Sequence, residues 1–390
     1  MYPCWSEIGP VGPKVQLSVD VYILYVHMVS VLISVDRTFH INDPANQEDK
    51  RKPEAGLTDH PHSAMTEEFQ GANFSHTKFT FVGFPEISKY RRLLFLPFFL
   101  SYLVILIGNS LILFVIKNTK SLHNPMYILV SALALVDIAV PTAIIPAMLP
   151  SFLFDLNEIT LVGCLMQMFF IHFLSSVEST ILLAMALDRL VAICNPLRYT
   201  AIMNTSTFLK LLLFTLIRSG IIMSTLVGLA SPLSFCGSNI IHHCYCDHMA
   251  LVSLACNSTA RNSAMGVAVI VCFVGIDISV IFLSYVKILY VVLRAAAGEQ
   301  RSKALNTCGT HLIVMMCFYF VGSVTFLSRN LSIPIPVDVN TFLGITYIVF
   351  PACINPIIYG VRTKEIRNAL LKMFKTHVNV VTIKVTTVKW

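Results

Sequence analysis

Four polar side chains, Asn109, Asp137, Glu178 and Asn355, fall in the middle of long apolar stretches. Charged and amide groups in such surroundings are costly and usually functional, so they must turn inward and satisfy one another. Two chemistries fit the set: a bound cation or proton-sensitive relay, or mutual hydrogen bonding with trapped water. Asp277, Lys287 and Arg218 lie in or near similar stretches, and Lys287 is long enough to snorkel to an interface. A second group is more ordered. His172, Ser175, Ser176 and Ser179 follow i, i+3, i+4, i+7 spacing, which puts them on one face of a helix. Such a face either offers hydrogen bonds to a small ligand or is satisfied by packing. Phe318, Tyr319 and Phe320 would line the same cavity or belong to the core. A third group is rich in sulfur and imidazole: Cys236, Cys244, Cys246 and Cys256 stand close to His242, His243 and His248. On an oxidising side of a membrane the cysteines form disulfides, with Cys244 the odd one; the alternative is zinc or copper held by the mixed cluster.

The elements that hold these groups follow from the solvent the chain needs. Of its 390 residues 55% are hydrophobic and 13% charged, and the mean hydropathy is +0.72. Soluble domains carry about 25% charged residues. This chain lacks the charge for a water-facing skin, and its apolar residues come in blocks rather than amphipathic stripes. A bilayer is the required solvent, and an ordinary soluble enzyme is excluded. No phosphate loop, nucleophile elbow or closed metal motif argues for catalysis, so neither a cofactor nor a metal is expected. No basic aromatic stripe argues for nucleic acid.

Crossing a bilayer takes about 20 mostly apolar residues, and seven blocks qualify: Leu93–Ile116, Met126–Leu149, Cys164–Ile193, Phe208–Leu229, Asn262–Leu293, Ala304–Leu327 and Val339–Gly360. The expected fold is an all-α membrane protein, a seven-transmembrane helix bundle. Residues 363–375 alternate basic and apolar positions at helical spacing, as in a short amphipathic helix lying on a leaflet after the seventh block. Cys164 and Arg189 are 25 residues apart in the third block, or ~37 Å along a helix, so they mark opposite faces. Cys164 can therefore meet one of the loop cysteines, and His172 lies ~12 Å below it.

Lysines and arginines in short loops set the orientation. Lys117, Lys120, Arg189, Arg198, Lys210, Arg294, Arg301 and Lys303 share one face with the tail bases Arg362, Lys364, Arg367, Lys372 and Lys375. The other face carries Asp155 and Glu158 and few bases, Arg261 and Arg329 among them. The N-terminus is then outside and the C-terminus inside, against the vote of Lys89, Arg91 and Arg92. The chain divides into an atypical extension at 1–64, disordered or signal-like, an extracellular tail at 65–92, the seven-span domain at 93–360 and a cytoplasmic tail at 361–390.

The segment Met185–Tyr199, MALDRLVAICNPLRY, closely resembles the third-helix signature of olfactory receptors within the rhodopsin-like G-protein-coupled receptors. LHNPMY at 122–127, KALNTCGTHL at 303–312 and NPIIY at 355–359 support the resemblance, which covers about residues 73–375. His172 and Arg329 resemble the fish-like class I branch, whose known ligands include carboxylic acids. The resemblance implies disulfides Cys164–Cys246 and Cys236–Cys256, and a G-protein switch made of Asp188, Arg189, Tyr285 and Tyr359. It implies a mid-membrane polar site around Asp137 and Glu178, with Asn109 and Asn355. It also implies a ligand site of His172, Ser175, Ser176, Tyr319 and Arg329, with Arg329 as counter-ion for an acidic odorant. Asn73 opens a glycosylation sequon. Leu190 departs from the Tyr usual after the switch arginine, and the 1–64 extension is not a family feature.

The function implied is an odorant receptor in the plasma membrane of olfactory cilia. A small volatile or short-chain ligand would bind in the outer half of the bundle and activate a heterotrimeric G protein of the stimulatory olfactory type, raising cyclic AMP. The competing readings are a non-olfactory rhodopsin-like receptor and a seven-helix transporter that uses the intramembrane charges. A transporter predicts matched broken repeats, and none is seen. A retinal pigment needs a lysine in the seventh block, which has none.

Overall fold

In hydrocarbon a backbone must close its own hydrogen bonds, so long apolar blocks become helices that pack as a bundle. The computed structural model describes residues 75–295, 298–330 and 335–373. Among these, seven helices are long and apolar enough to cross a membrane: Ser88–Asn118, Pro125–Phe154, Leu161–Cys194, Ser206–Ala230, Ala260–Arg294, Ala304–Val324 and Val337–Arg362. They are the first to seventh spans below. The 1–64 extension, Asn73 and residues 374–390 lie outside the described residues. The third span is the axis of the bundle, with 72% of its apolar window buried, against 28, 33 and 22% for the first, fourth and fifth. The outlying spans show bare apolar side chains such as Ile107, Ile217 and Phe282. That distribution suits a lipid solvent, in which an exposed leucine costs nothing.

Two spans depart from a plain helix. The second, read from sequence as one helix, is broken between Pro125–Thr142 and Ile145–Phe154. Pro146 has no N–H to give, and Ala147 N–H turns to the Ile144 carbonyl at 3.1 Å. The Ala143 carbonyl is left over and accepts from Gln167 Nε2 of the third span at 3.0 Å. In the fifth span a wider π winding over Val271–Ile276 interrupts the α-helix, and such segments often mark functional sites.

The disulfide end is closed by a small sheet that sequence reading missed. Strand β1, Lys78–Phe81, lies between β2, Glu158–Thr160, and β3, Ile240–Ile241. It runs antiparallel to β2 and parallel to β3, with Phe79 opposite Ile159 and Thr80 opposite Ile240. Phe79 is fully buried and meets Phe235 edge-on at 5.3 Å. The segment after β1 is fastened to the seventh span. The Asp338 carboxylate accepts from the N–H groups of Glu86 and Ile87 at 3.3 and 3.2 Å, and Thr341 donates to the Gly83 carbonyl at 3.1 Å. Gly83 has φ of 65°, and a Cβ there would lie 2.9 Å from Cys244 Sγ, so only glycine fits this turn. Arg91, one of the bases that disagreed with the predicted orientation, is paired with Asp155.

At the opposite end residues 364–373 form a helix. Ile366 is buried, and Ala369, Leu370 and Met373 pack against the core, while Lys364, Arg367 and Lys372 are exposed. This is the amphipathic pattern the spacing suggested. The Tyr127 hydroxyl is hydrogen-bonded to Glu365, which ties this helix to the second span.

The first and seventh spans come close at Gly108, where a Cβ would stand 2.9 Å from Pro356 Cγ. A proline ring gives little ground, so Gly108→Val should cost about 1–3 kcal/mol through overpacking. The expected outcome is a lower melting temperature of purified protein; an unchanged one would contradict the close approach.

Candidate functional site

The polar face of the third span opens onto a cavity enclosing ≈780 Å³, part of it continuous with solvent. His172, Ser175, Ser176 and Ser179 all line it, so the helical spacing did mark one surface. Phe318 and Tyr319 join them from the sixth span and Tyr347 from the seventh. Phe320 points away and is 66% exposed. The fourth and fifth spans add apolar walls through Leu226, Val269 and Phe273.

The roof is the loop between the fourth and fifth spans. Cys164 at the head of the third span is joined to Cys246, and Cys236 to Cys256. Cys246 N–H also donates to Gln167 Oε1 at 3.0 Å, so one glutamine serves both the break in the second span and the roof. Anchored in this way, Asp247, His248 and Met249 reach the cavity. The Asp247 carboxylate caps the short helix His248–Val252 by accepting from Ala250 N–H at 3.2 Å. His248 is 4% exposed. Burial, with the neighbouring His172, lowers its pKa to about 4 despite Asp247, so the imidazole is neutral at physiological pH. Cys244 is not disulfide-bonded, and burial pushes its thiol up. Among the described residues no three His, Cys, Asp or Glu side chains converge as metal ligands.

The floor is a buried ion pair. Arg218 of the fourth span donates to Asp277 of the fifth at 2.8 and 3.2 Å, and to the Cys272 carbonyl at 2.8 Å within the π segment. Its guanidinium also lies 4.4 Å from the centre of the Phe273 ring. Ser179 Oγ donates to Asp277 at 2.8 Å and stands 2.9 Å from Tyr319 Oη. Four spans therefore meet in one network that reaches the cavity through Ser179 and Tyr319. Sequence reading noted Arg218 and Asp277 as intramembrane charges and gave them no role. Their opposite signs in adjacent spans were the available signal.

Below the floor, Asn355 Nδ2 donates to both oxygens of Asp137 at 3.1 and 3.0 Å, and Asn109 Nδ2 to the carbonyls of Ile105 and Ala352 at 3.1 and 3.0 Å. Glu178 is buried close to Asp137, so these two gather with Asn355, while Asn109 is satisfied by backbone carbonyls. At the far end of the third span Arg189 lies 3.1 Å from Asp188, which accepts from the Tyr199 hydroxyl at 2.7 Å. Tyr285, Tyr359 and His311 are buried beside Arg189, and the His311 ring stands 5.8 Å from that of Tyr359. The expected ligand residue Arg329 is placed differently from its reading as a loop residue. Its backbone belongs to the helix Gly298–Asn330, because the sixth helix continues beyond its apolar block; its side chain lies outside the described residues.

Removing one partner of a buried ion pair strands the other charge, at a cost of about 3–5 kcal/mol, whereas replacing both with apolar groups is often neutral. Arg218→Met should therefore strongly lower the melting temperature, and Arg218→Met with Asp277→Leu should recover most of the loss. A double variant as unstable as the single one would show that the pair is not the floor's chief interaction.

A family model described as olfactory receptor matches residues 98–377. Olfactory receptor 51E2 of Mus musculus is 40% identical over 306 residues, 78% of this chain and 95% of the relative. Olfactory receptor 52K2 of Homo sapiens is 39% identical over 298 residues, 76% of this chain and 95% of the relative. Olfactory receptor 52A5 of Homo sapiens is 40% identical over 307 residues, 78% and 97%. These relatives are receptors and not enzymes, and they share the motifs' span of the chain. A seven-span bundle with a roofed cavity, matched over most of its length in this way, belongs to the olfactory receptor family.

Proposed function

We propose that the cavity binds a small volatile odorant and that its occupancy activates a stimulatory G protein at the Arg189 end, raising cyclic AMP. One observation carries the reading: the cavity floor is the network of Ser179, Tyr319, Asp277 and Arg218, which joins four spans. A ligand moves an equilibrium only by binding one state better than the other. An odorant in contact with Tyr319 or Ser179 changes the strength of that joint, and the sixth span, which carries Tyr319 at one end and His311 nearer the other, transmits the change to the surroundings of Arg189. Asp188, Arg189, Tyr285 and Tyr359 are the switch groups. Asp137, Glu178, Asn109 and Asn355 form the polar site between the two.

The disulfide end faces outside, where thiols are oxidised, and the bases near the Arg189 end face the cytoplasm. This topology leaves Asn73 on the outside as a glycosylation site. The setting is the plasma membrane of olfactory cilia. His172, Ser175, Ser176 and Tyr319 contact the odorant, and Arg329 supplies the counter-charge where the ligand is a short-chain carboxylic acid.

Chains starting at Met1 and at Met65, expressed with an accessory trafficking factor, should raise cyclic AMP in response to members of a panel of short acids, alcohols and aldehydes. Silence from both, with surface expression verified, would count decisively against the receptor reading. Arg329→Ala should abolish responses to acids while sparing uncharged ligands; an unchanged acid dose–response curve would remove its counter-ion role.

A further inference from the structure

The lining of the cavity contains two imidazoles and one carboxylate, His172, His248 and Asp247, but no lysine or arginine among the described residues. The nearest buried cation, Arg218, is already neutralised by Asp277. A carboxylate lodged against the described lining would therefore need its counter-charge from elsewhere, as the proposed role of Arg329 supplies, because burying an unpaired charge is prohibitive. His248 offers something different. Its Nε2 is buried and has no hydrogen-bond partner among the described residues, which is an expensive way to leave a polar group. The side chain is held at the cavity by the Cys164–Cys246 disulfide two residues before it and by the turn that Asp247 caps. A neutral imidazole can present Nε2 as donor or as acceptor according to its tautomer.

We infer that His248 is a specificity-determining residue of the odorant site, holding a neutral hydrogen-bonding group of the ligand: the hydroxyl of an alcohol or the carbonyl oxygen of an aldehyde or ketone. The inference rests on the odorant-receptor reading and narrows it to a ligand class. The apolar walls take the hydrocarbon chain, and His248 takes the single polar group of a neutral ligand. His172 sits beside His248 and lines the same space.

The test uses the full-length receptor at the cell surface with panels matched in chain length: butanol to decanol, the corresponding aldehydes and 2-ketones, and the corresponding carboxylates. Surface levels are counted with antibody on intact cells. Neutral members should activate the wild type, and His248→Phe should raise their EC50 about tenfold, the worth of one good hydrogen bond. His248→Gln, which keeps a donor and an acceptor, should retain most of the potency. Should Phe be retained inside the cell, His248→Met serves the same comparison. An unchanged EC50 for neutral ligands in the apolar variant overturns the inference, as do responses confined to carboxylates; both leave the receptor reading standing. Silence of the surface-expressed wild type toward every member removes the receptor reading and the inference with it.

Discussion

A peptide group surrounded by hydrocarbon has no water to fall back on, and leaving it unpaired costs several kcal/mol. Most of each span meets that demand by winding as an α-helix. The informative places are those where winding fails and a side chain completes the hydrogen bonding. Gln167 takes up the Ala143 carbonyl released at the break in the second span. Arg218 takes up the Cys272 carbonyl where the fifth span widens. Each repair brings a polar side chain to depths where it is otherwise excluded, and each is one partner removed from a residue of the cavity wall. The cavity thus lies close to the irregularities that the bilayer obliges the protein to mend.

The cavity is bounded by two unlike devices. Its roof is covalent and local to the loops, with a neutral histidine held in place by a disulfide and a helix cap. Its floor is electrostatic and joins the third, fourth, fifth and sixth spans at one point. Rigid closure above and a reversible joint below suit a protein whose task is to turn occupancy into a change in helix packing. The low charge of the lining makes the floor sensitive, because hydrogen bonds strengthen when water is scarce.

Much of this was legible in the residues themselves. The seven apolar blocks agree with the spans to within a few residues at most ends, because hydropathy over about 20 residues is a strong signal. The serine–histidine face of the third span was legible because helical periodicity is geometric. The break in the second span was harder to see: Pro141, Pro146 and Pro150 all lie in it, and prolines are tolerated in membrane helices when neighbours re-satisfy the backbone. The pairing of Arg218 with Asp277 was only hinted at by their opposite signs in adjacent spans. It joins residues 59 apart in sequence, and which helix faces meet depends on packing that one sequence does not encode locally. The sheet at the disulfide end escaped because its strands are two to four residues long and come from the segment before the first span and two separate connections.

That sheet has a bearing on how the molecule is made. Its central strand precedes the first span, yet β2 follows the second span and β3 follows the fourth. A ribosome inserting the spans in order delivers the middle of the roof before either of its neighbours exists. The segment ending at Phe81 waits for β2 while two spans are threaded, and its other edge stays open until Ile240 and Ile241 emerge after the fourth. The loop that carries the cavity-lining histidine also brings the strand that completes the sheet. A chain halted within the fourth span therefore holds the polar face of the third span with neither the third strand nor the disulfide loop to cover it.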